Sequence, residues 1–335
     1  MKNLIFQWLI TLSDPSGLQS SLPADPLPKD TFAKLCRCGE KHGVLPALIS
    51  NTISFLSQNN ADRLSKGRLI ELQSELKTAE ERLHRKVAFS MILRRQSDEI
   101  MQILHNHSIP AVVLKGQNFA NRLYQPSFLR CSTDVDILIP YKNLNQIDSI
   151  MERSGYKRKN SKQKYTEGYG QIAWQPIHKI MGTVEFHWNI VNSPTVRRGV
   201  SLTYEDLQFE HTDPQILTSS AMLLVAAVHA ATSHAFDRLM LLWDICQLCR
   251  EMAGPLDVGY LSHIAKQTGT DKSLAIALYL GYKLLKVSAC KCLAEELQLK
   301  SYPIMRLIIS PNLVLRQKDG FDALRRILFR ELLKR

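Results

Sequence analysis

This sequence of 335 residues lacks the long apolar runs and the biased composition that define several protein classes. No stretch approaches the roughly 18 consecutive apolar residues of a membrane-spanning helix, so we expect no transmembrane segment. Only 15 glycines and 14 prolines are present and 45% of the residues are hydrophobic, which excludes collagen-like, low-complexity and disordered chains. The length predicts a soluble globular protein of about two domains.

Cysteines are also few. The seven in the chain are an odd number and widely spaced, unlike a secreted disulfide framework, so we expect a reducing, cytoplasmic environment. Cys246 and Cys249, together with Cys290 and Cys292, could offer four thiolates to zinc. Both pairs lie in helical patterns without turn-forming residues, which favours thiols of the hydrophobic core.

Several catalytic motifs are missing. The sequence has no Gly-rich Walker loop, no His-Glu-x-x-His and no Gly-x-Ser-x-Gly, so P-loop, zincin and hydrolase-elbow chemistry are not supported. His229 and His234 are five residues apart, which misses the three- or four-residue spacing of one helix face. A helical zinc pair is therefore disfavoured, and packing or substrate contact remain as their roles.

Acidic residues are too few to balance the basic ones. The net charge of +12 suits anionic partners such as nucleotides, nucleic acid or anionic lipid. The segment 153–164 has six basic residues and no acid, so it could follow a nucleic-acid backbone or gather a nucleotide, or simply be a solvated loop. The basic, leucine-rich segment 316–335 is typical of a surface helix that could also contact RNA, an acidic partner or a membrane.

The hydrophobic periodicity divides the chain into three zones. Helical spacing runs from 31 to 107 and is clearest between 62 and 105, and it returns beyond 213. Short β-type runs fill the zone between them, with one helical pattern near 143–155. We therefore predict an α+β fold with a central mixed sheet over 109–212, an N-terminal helical region over 1–108 and a C-terminal helical domain over 213–335.

The motif Thr133-Asp134-Val135-Asp136 is the sharpest local feature. Side chains alternate along a strand, so Asp134 and Asp136 would point to the same side while their apolar neighbours point to a core. Adjacent carboxylates repel each other unless one is protonated or a cation lies between them, and Mg²⁺ is a cation that prefers oxygen ligands. Solvated acids on the open face of an amphipathic strand are the alternative.

Two other segments carry polar groups that could join this site. In Thr183-Val184-Glu185-Phe186-His187-Trp188, Glu185 and His187 share one face, and Glu185 could complete a three-carboxylate cluster if the two strands are neighbours. Taken alone, Glu185 could be an exposed residue of a half-buried strand. Lys115 and Gly116 lie between a buried strand and a helix, where the turn could approach a phosphate or be a simple connection.

Taken in order, these pieces resemble the uncharacterised bacterial nucleotidyltransferase family of the polymerase β-type superfamily. They are Leu114-Lys115-Gly116, Leu123-Tyr124, Arg130, Asp134-Val135-Asp136, Gly155-Tyr156 and Glu185-Phe186-His187-Trp188. The resemblance is strongest between 109 and 190. It implies a nucleotidyltransferase fold with Asp134, Asp136 and Glu185 as metal ligands, and with Lys115 and Gly116 near the nucleotide phosphates.

The activity implied is a transfer of a nucleoside monophosphate from an NTP, with Mg²⁺, or Mn²⁺ as an alternative. Lys115 or Arg130 could neutralise charge on the phosphate oxygens, and His187 could orient the acceptor or Glu185, or be structural. A small or sugar-like acceptor is the first expectation. RNA or protein acceptors, and a catalytically silent binding module of the same fold, are the alternatives. The site requires Glu185 to face the aspartates, with no buried Lys or Arg filling the gap between them.

Overall fold

The structure is a computed structural model that describes residues 2–17, 23, 31–57, 66–159, 168–177, 180–315 and 322–334. Its N-terminal part is helical and contains α1 (Lys2–Leu12), α2 (Phe32–Lys41), α3 (Leu45–Ser57) and the long α4 (Lys66–Asn106). The helical periodicity between 62 and 105 therefore corresponds to one continuous helix of 41 residues. At 1.5 Å per residue such a helix is about 60 Å long.

A mixed sheet follows. Its strands are β1 (Val112–Val113), β2 (Val135–Leu138), β3 (Tyr156–Arg158), β4 (Gln171–Pro176) and β5 (Val184–His187). The strand order is β1-β2-β5-β4-β3, with β2 and β5 parallel and the other neighbours antiparallel. Two helices connect the first strands, α5 (Gln117–Leu123) after β1 and α6 (Leu144–Arg153) after β2. The predicted α+β class with a central mixed sheet is confirmed.

The C-terminal part begins with a small hairpin of β6 (Phe209–Glu210) and β7 (Asp213–Leu217). Its helices are α7 (Ser219–Thr232), α8 (Leu239–Cys249), α9 (Val258–Gln267), α10 (Asp271–Lys283), α11 (Ser288–Glu296), α12 (Pro303–Ile308), α13 (Pro311–Val314) and α14 (Asp322–Leu333). The predicted helical regions at both ends of the sheet are therefore confirmed, but the helical pattern expected from 213 begins only at Ser219 because 213–217 pairs with β6 as β7. Within the described residues, no helix is both long and apolar enough to cross a lipid bilayer.

Two hydrophobic cores hold these parts together. The larger core joins the N-terminal helices to the C-terminal helices and includes Val112 and Leu138 from the sheet. The smaller core lies between the sheet and the helices α4 and α6, where Trp174 and Phe186 are fully buried. Each core therefore contains residues from more than one of the three predicted regions. The boundaries at 108 and 212 stay a prediction.

Different parts of the helix α4 pack in the two cores. Leu76 and Leu83 pack in the larger core, and Ile100 and Leu104 pack in the smaller one. Residues four and seven apart lie on the same side of a helix, so each pair forms an apolar face of its own. The long helix therefore contacts the N-terminal helices with one part and the sheet with another.

The cysteines are all free, as their spacing predicts. Cys246, Cys249 and Cys290 are buried between helices of the larger core, whereas Cys292 is exposed. The expectation that these are core thiols therefore matches the position of three of the four. A cytoplasmic location stays a prediction.

Candidate active site

The parallel pairing of β2 with β5 brings the two acidic motifs together. Asp136 lies opposite Glu185, and Leu138 lies opposite His187. Side chains at opposed positions of neighbouring strands project from the same face of a sheet, so the carboxylates of Asp136 and Glu185 are neighbours. The condition that Glu185 faces an aspartate of the pair is therefore met.

His187 lies between these two carboxylates. Its Nε2 is 2.9 Å from Oδ1 of Asp136 and 3.9 Å from Oε2 of Glu185. One ligand atom from each of the three residues lies within 4.8 Å of the others, which is close enough for one cation to contact all of them. Asp134 is outside this group of three although it lines the same cavity, and it accepts a hydrogen bond from the hydroxyl of Thr133.

The Asp-x-Asp strand differs from its prediction in one respect. β2 begins at Val135, so Asp134 lies in a bend before the strand rather than within it. All four residues of β2 are buried, including Asp136, so the alternative of solvated acids on an open strand face does not hold for Asp136. The reason is tertiary, because Lys115 and a histidine of α7 cover the face that carries Asp136.

Lys115 is a buried cation in contact with this site. Its Nζ is 3.2 Å from Oδ2 of Asp136 and 3.1 Å from Nδ1 of His229. The ring of His229 also packs edge-on against His234, with 4.9 Å between the centroids. The second condition, that no buried lysine fills the gap beside the carboxylates, therefore concerns Lys115. Lys115 contacts Oδ2 of Asp136, whereas His187 contacts Oδ1 and is the residue that lies toward Glu185. Because each carboxylate oxygen has two lone pairs, these contacts leave acceptor capacity for a further ligand.

The burial of these groups shifts their ionisation. Burial and the neighbouring Asp136 raise the pKa of the Asp134 carboxyl to about 6. Burial alone would raise the pKa of Asp136 as well, but the Lys115 ammonium and the hydrogen bond from His187 hold it well below its usual range. Burial and the adjacent lysine lower the pKa of His229 strongly. At neutral pH His229 is therefore uncharged and accepts a hydrogen bond from Lys115.

The turn after β1 is fixed by glycine and by a buried arginine. Gly116 has φ of +56°, and a Cβ there would lie 3.2 Å from Oγ of Ser132. Its carbonyl accepts a hydrogen bond from Arg130. The same guanidinium forms two hydrogen bonds of 2.7 and 2.8 Å to Asp244, whose carboxylate also accepts one from Tyr124. Arg130 thereby ties the turn to α8.

The acidic residues, the histidines, Lys115, Gly116 and Arg130 border one cavity of about 880 Å³ between the sheet, the N-terminal helices and the C-terminal helices, whereas Asp244 and Tyr124 lie outside its lining. Its volume lies in the range of small-molecule sites. Acidic, basic and neutral polar side chains line the cavity. Its residues include Asp134, Asp136, Glu185, His187, Lys115, Gly116, Arg130, Gln171, Asn192, Tyr169, His229, His234, Lys41, Arg85, Lys86, Arg238 and Arg330.

Comparison with protein families identifies the family to which this chain belongs. The family model described as an uncharacterised nucleotidyltransferase matches residues 28–286, which is most of the chain. The chain belongs to this nucleotidyltransferase family. No curated protein and no solved structure matches it. The resemblance drawn from the sequence motifs is therefore confirmed, as is the prediction that the protein is a nucleotidyltransferase.

The nucleotidyltransferase brings together most of the side chains that the sequence singled out. Asp136, Glu185 and His187 form the compact group, and Lys115 contacts it directly. Asp134, Gly116 and Arg130 line the same cavity. The roles of all seven as metal ligands, nucleotide-binding residues or an orienting residue stay predictions.

Sequence reasoning missed several contacts of the nucleotidyltransferase site. Gln171 contacts Glu185 and Asn192 contacts Gln171, and no local pattern marks them because each is a single amide in an ordinary loop or strand. Asp244 did leave a signal, since it is the one charged residue in the apolar helix α8. A charge in such a helix requires a buried partner, and that partner is Arg130.

The basic segment 153–164 is described only as far as Lys159, and the rest of it lies outside the described residues. Its described part includes β3, an edge strand on which Lys157 and Arg158 are exposed. None of the residues 153–159 lines the cavity. Binding of nucleic acid through this segment stays a prediction.

Proposed function

We propose that this nucleotidyltransferase moves a nucleoside monophosphate from an NTP to a small or sugar-like acceptor in a reaction that requires Mg²⁺. The observation that carries the proposal is the register of β2 with β5, which sets Asp136 opposite Glu185 with His187 between them. A family assignment alone names a class of reaction. The convergence of the buried Asp136 and the half-buried Glu185 from separate strands supports a site that performs it.

The residues present fit a hard divalent cation. Asp136 and Glu185 offer carboxylate oxygens, which Mg²⁺ and Mn²⁺ prefer. Nε2 of His187 lies beside both carboxylates and would bind a cation only without the proton that it donates to Asp136. Asp134 adds a nearby carboxylate, and its burial and the neighbouring Asp136 raise its pKa. A bound divalent cation would supply positive charge between the carboxylates and would stabilise the phosphate oxygens during transfer.

Lys115 has the position of a phosphate-binding residue. Asp136 and His229 use two of its three N–H donors, and the side chain borders the cavity. The remaining donor can bind a phosphate oxygen of the NTP, and the ammonium can neutralise charge that develops there as the bond to pyrophosphate breaks. Its two contacts hold the ammonium in place before the nucleotide arrives.

A neutral polar part of the cavity wall supports an acceptor that carries hydroxyls. Gln171, Asn192, Tyr169 and Ser193 border the cavity and contribute amide and hydroxyl groups, and basic residues such as Arg330 line it as well. Such groups bind hydroxyls through hydrogen bonds without a charge on the ligand. Glu185 would then orient the acceptor hydroxyl for in-line attack on the α-phosphate.

The test uses the full chain with each of the four NTPs labelled at the α-phosphate, Mg²⁺ and, separately, the small-molecule, RNA and protein fractions of a cell extract. We expect a labelled product and release of pyrophosphate, both lost in Asp136→Asn by at least about 100-fold. Asp148→Asn is the matched control, since Asp148 is half-exposed on α6 and away from the cavity. Circular dichroism verifies that both variants fold.

Two outcomes would contradict the proposal. Turnover by Asp136→Asn equal to that of the wild type would remove the metal site. If no extract fraction, RNA or protein acquires label in the wild type, the chain is a silent binding module with this fold. Label on RNA or protein instead of a small molecule would overturn the choice of acceptor alone.

A further inference from the structure

Gln171 is a buried amide that contacts the predicted third carboxylate. It is the first residue of β4, it pairs with His187 across the strands, and it is 5% exposed. Its Nε2 donates a hydrogen bond of 2.7 Å to Oε2 of Glu185. This oxygen is also the one 3.9 Å from His187, so the amide holds the carboxylate on the side that faces the histidine.

A second amide continues this contact. Asn192 donates a hydrogen bond from Nδ2 to Oε1 of Gln171. An ionised carboxylate only accepts hydrogen bonds, so the NH₂ group of Gln171 must face Glu185, its oxygen must face Asn192, and the NH₂ of Asn192 must face Gln171. The charge of Glu185 therefore determines the orientation of both amides.

The backbone around Asn192 is held close to β4. Gly170 donates a backbone hydrogen bond to the carbonyl of Asn192, and Arg197 donates another to the same oxygen. A Cβ at Gly170 would lie 2.9 Å from the carbonyl oxygen of Val191, so only glycine permits this close approach. The segment that carries Asn192 is therefore fixed against the start of β4.

A glutamate in this position needs such support. It has one more rotatable bond than an aspartate, and ordering a glutamate side chain costs up to about 2 kcal/mol of conformational entropy. Oε2 is restrained by Gln171, whereas no hydrogen bond to Oε1 is seen among the described residues. The restrained carboxylate thus keeps one oxygen available for a ligand.

We propose that Gln171 and Asn192 are positioning residues that hold the Glu185 carboxylate in the geometry that binds the divalent cation. The inference rests on the proposed function, because it assigns these amides to the same metal site. Gln171 acts on the carboxylate directly, and Asn192 acts through Gln171.

The experiment measures binding of Mn²⁺ alone to the full chain by isothermal titration calorimetry, without nucleotide or acceptor. Partners that orient metal ligands change metal affinity by about 10- to 100-fold when they are removed. We expect Gln171→Met, which keeps the length but loses the donor, to weaken Mn²⁺ binding by about 10-fold or more. Asn192→Ala should weaken it less, and the double variant should bind no more weakly than Gln171→Met.

Two further variants separate positioning from a general structural effect. Gln175→Met is the matched control in the same strand, and it should bind Mn²⁺ as the wild type does because Gln175 does not line the cavity. In a Glu185→Gln background, Gln171→Met should cause no further loss of Mn²⁺ affinity, whereas a structural defect would still lower it.

The outcomes distinguish this inference from the proposed function. Wild-type protein that binds no Mn²⁺ overturns both. Wild-type protein that binds Mn²⁺, with equal affinity in folded Gln171→Met and Asn192→Ala, overturns the positioning role and leaves the proposed function standing. If Gln171→Met fails to fold, Asn192→Ala decides alone, and unchanged affinity in that variant overturns the proposal.

Discussion

At the scale of single residues, the charged side chains that we expect to affect stability most form buried pairs. Arg130 and Asp244 are 4% and 2% exposed, and their hydrogen bonds join the turn before α5 to the helix α8. A buried pair gains little over an apolar pair of the same shape, but removal of one partner leaves the other charge uncompensated. Replacement of one residue of such a pair should therefore lower the free energy of unfolding.

We predict that Arg130→Met lowers the free energy of unfolding by about 3–5 kcal/mol, because Asp244 then stays buried without its counter-charge. Urea unfolding measures this change. Arg95→Met is the control, since Arg95 is 82% exposed and paired with Glu99 on the surface, and it should cost less than about 1 kcal/mol. Equal losses of unfolding free energy in the two variants would contradict the prediction, because burial of the pair would then make no difference.

His42 predicts a pH dependence of stability. Burial lowers its pKa from 6.5 to about 4, so the unfolded chain binds a proton first as the pH falls. Its contribution to stability is therefore complete above pH 6.5 and is lost as the pH falls from 6.5 to 4, by at most about 3 kcal/mol. Urea unfolding across this range should show the loss in the wild type, and His42→Gln should reduce it. If His42→Gln follows the wild-type pH profile of stability, other groups cause the acid sensitivity.

At the scale of secondary structure, close contacts between helices depend on small residues. Gly281 lies in α10 against two thiols of the larger core. A Cβ at this position would lie 2.6 Å from Sγ of Cys290 and 3.1 Å from Sγ of Cys246. The glycine therefore creates the space that the thiols occupy.

We predict that Gly281→Ala destabilises the protein by about 1–2 kcal/mol. The gain in helix propensity of about 1 kcal/mol is smaller than the cost of overpacking, which reaches about 3 kcal/mol. Removal of the obstructing sulfur should reverse the sign, so Gly281→Ala combined with Cys290→Ala should be more stable than Cys290→Ala alone. Thermal or urea unfolding measures both comparisons, and a stabilising effect of Gly281→Ala by itself would contradict the prediction.

At the scale of the whole molecule, the sheet is not an independent unit. One side of it, at Val112 and Leu138, belongs to the core that unites the N-terminal and C-terminal helices, and the other side packs on α4 and α6. The cavity is likewise lined by residues of the sheet and of both helical parts. The site therefore exists only when all three are assembled.

We predict that residues 109–212 expressed alone will not unfold cooperatively, because two apolar surfaces that the helices cover would face water. The full chain should show a sigmoidal urea transition, and the segment should show a gradual one without near-ultraviolet dichroism. A sharp transition of the isolated segment would instead support an autonomous domain at the boundaries predicted from the sequence.

The sequence by itself determined the helical regions, the presence of acid-bearing strands and the family, since these depend on local periodicity and on short motifs. It did not determine that β2 and β5 are parallel neighbours, because pairing of strands about 50 residues apart depends on the packing of α6 and β4 between them in the chain. Nor did it reveal the contacts of Lys115 with His229, of Arg130 with Asp244 or of Gln171 with Glu185. Each joins residues that only the folded chain brings together, and burial is what gives these polar contacts their strength.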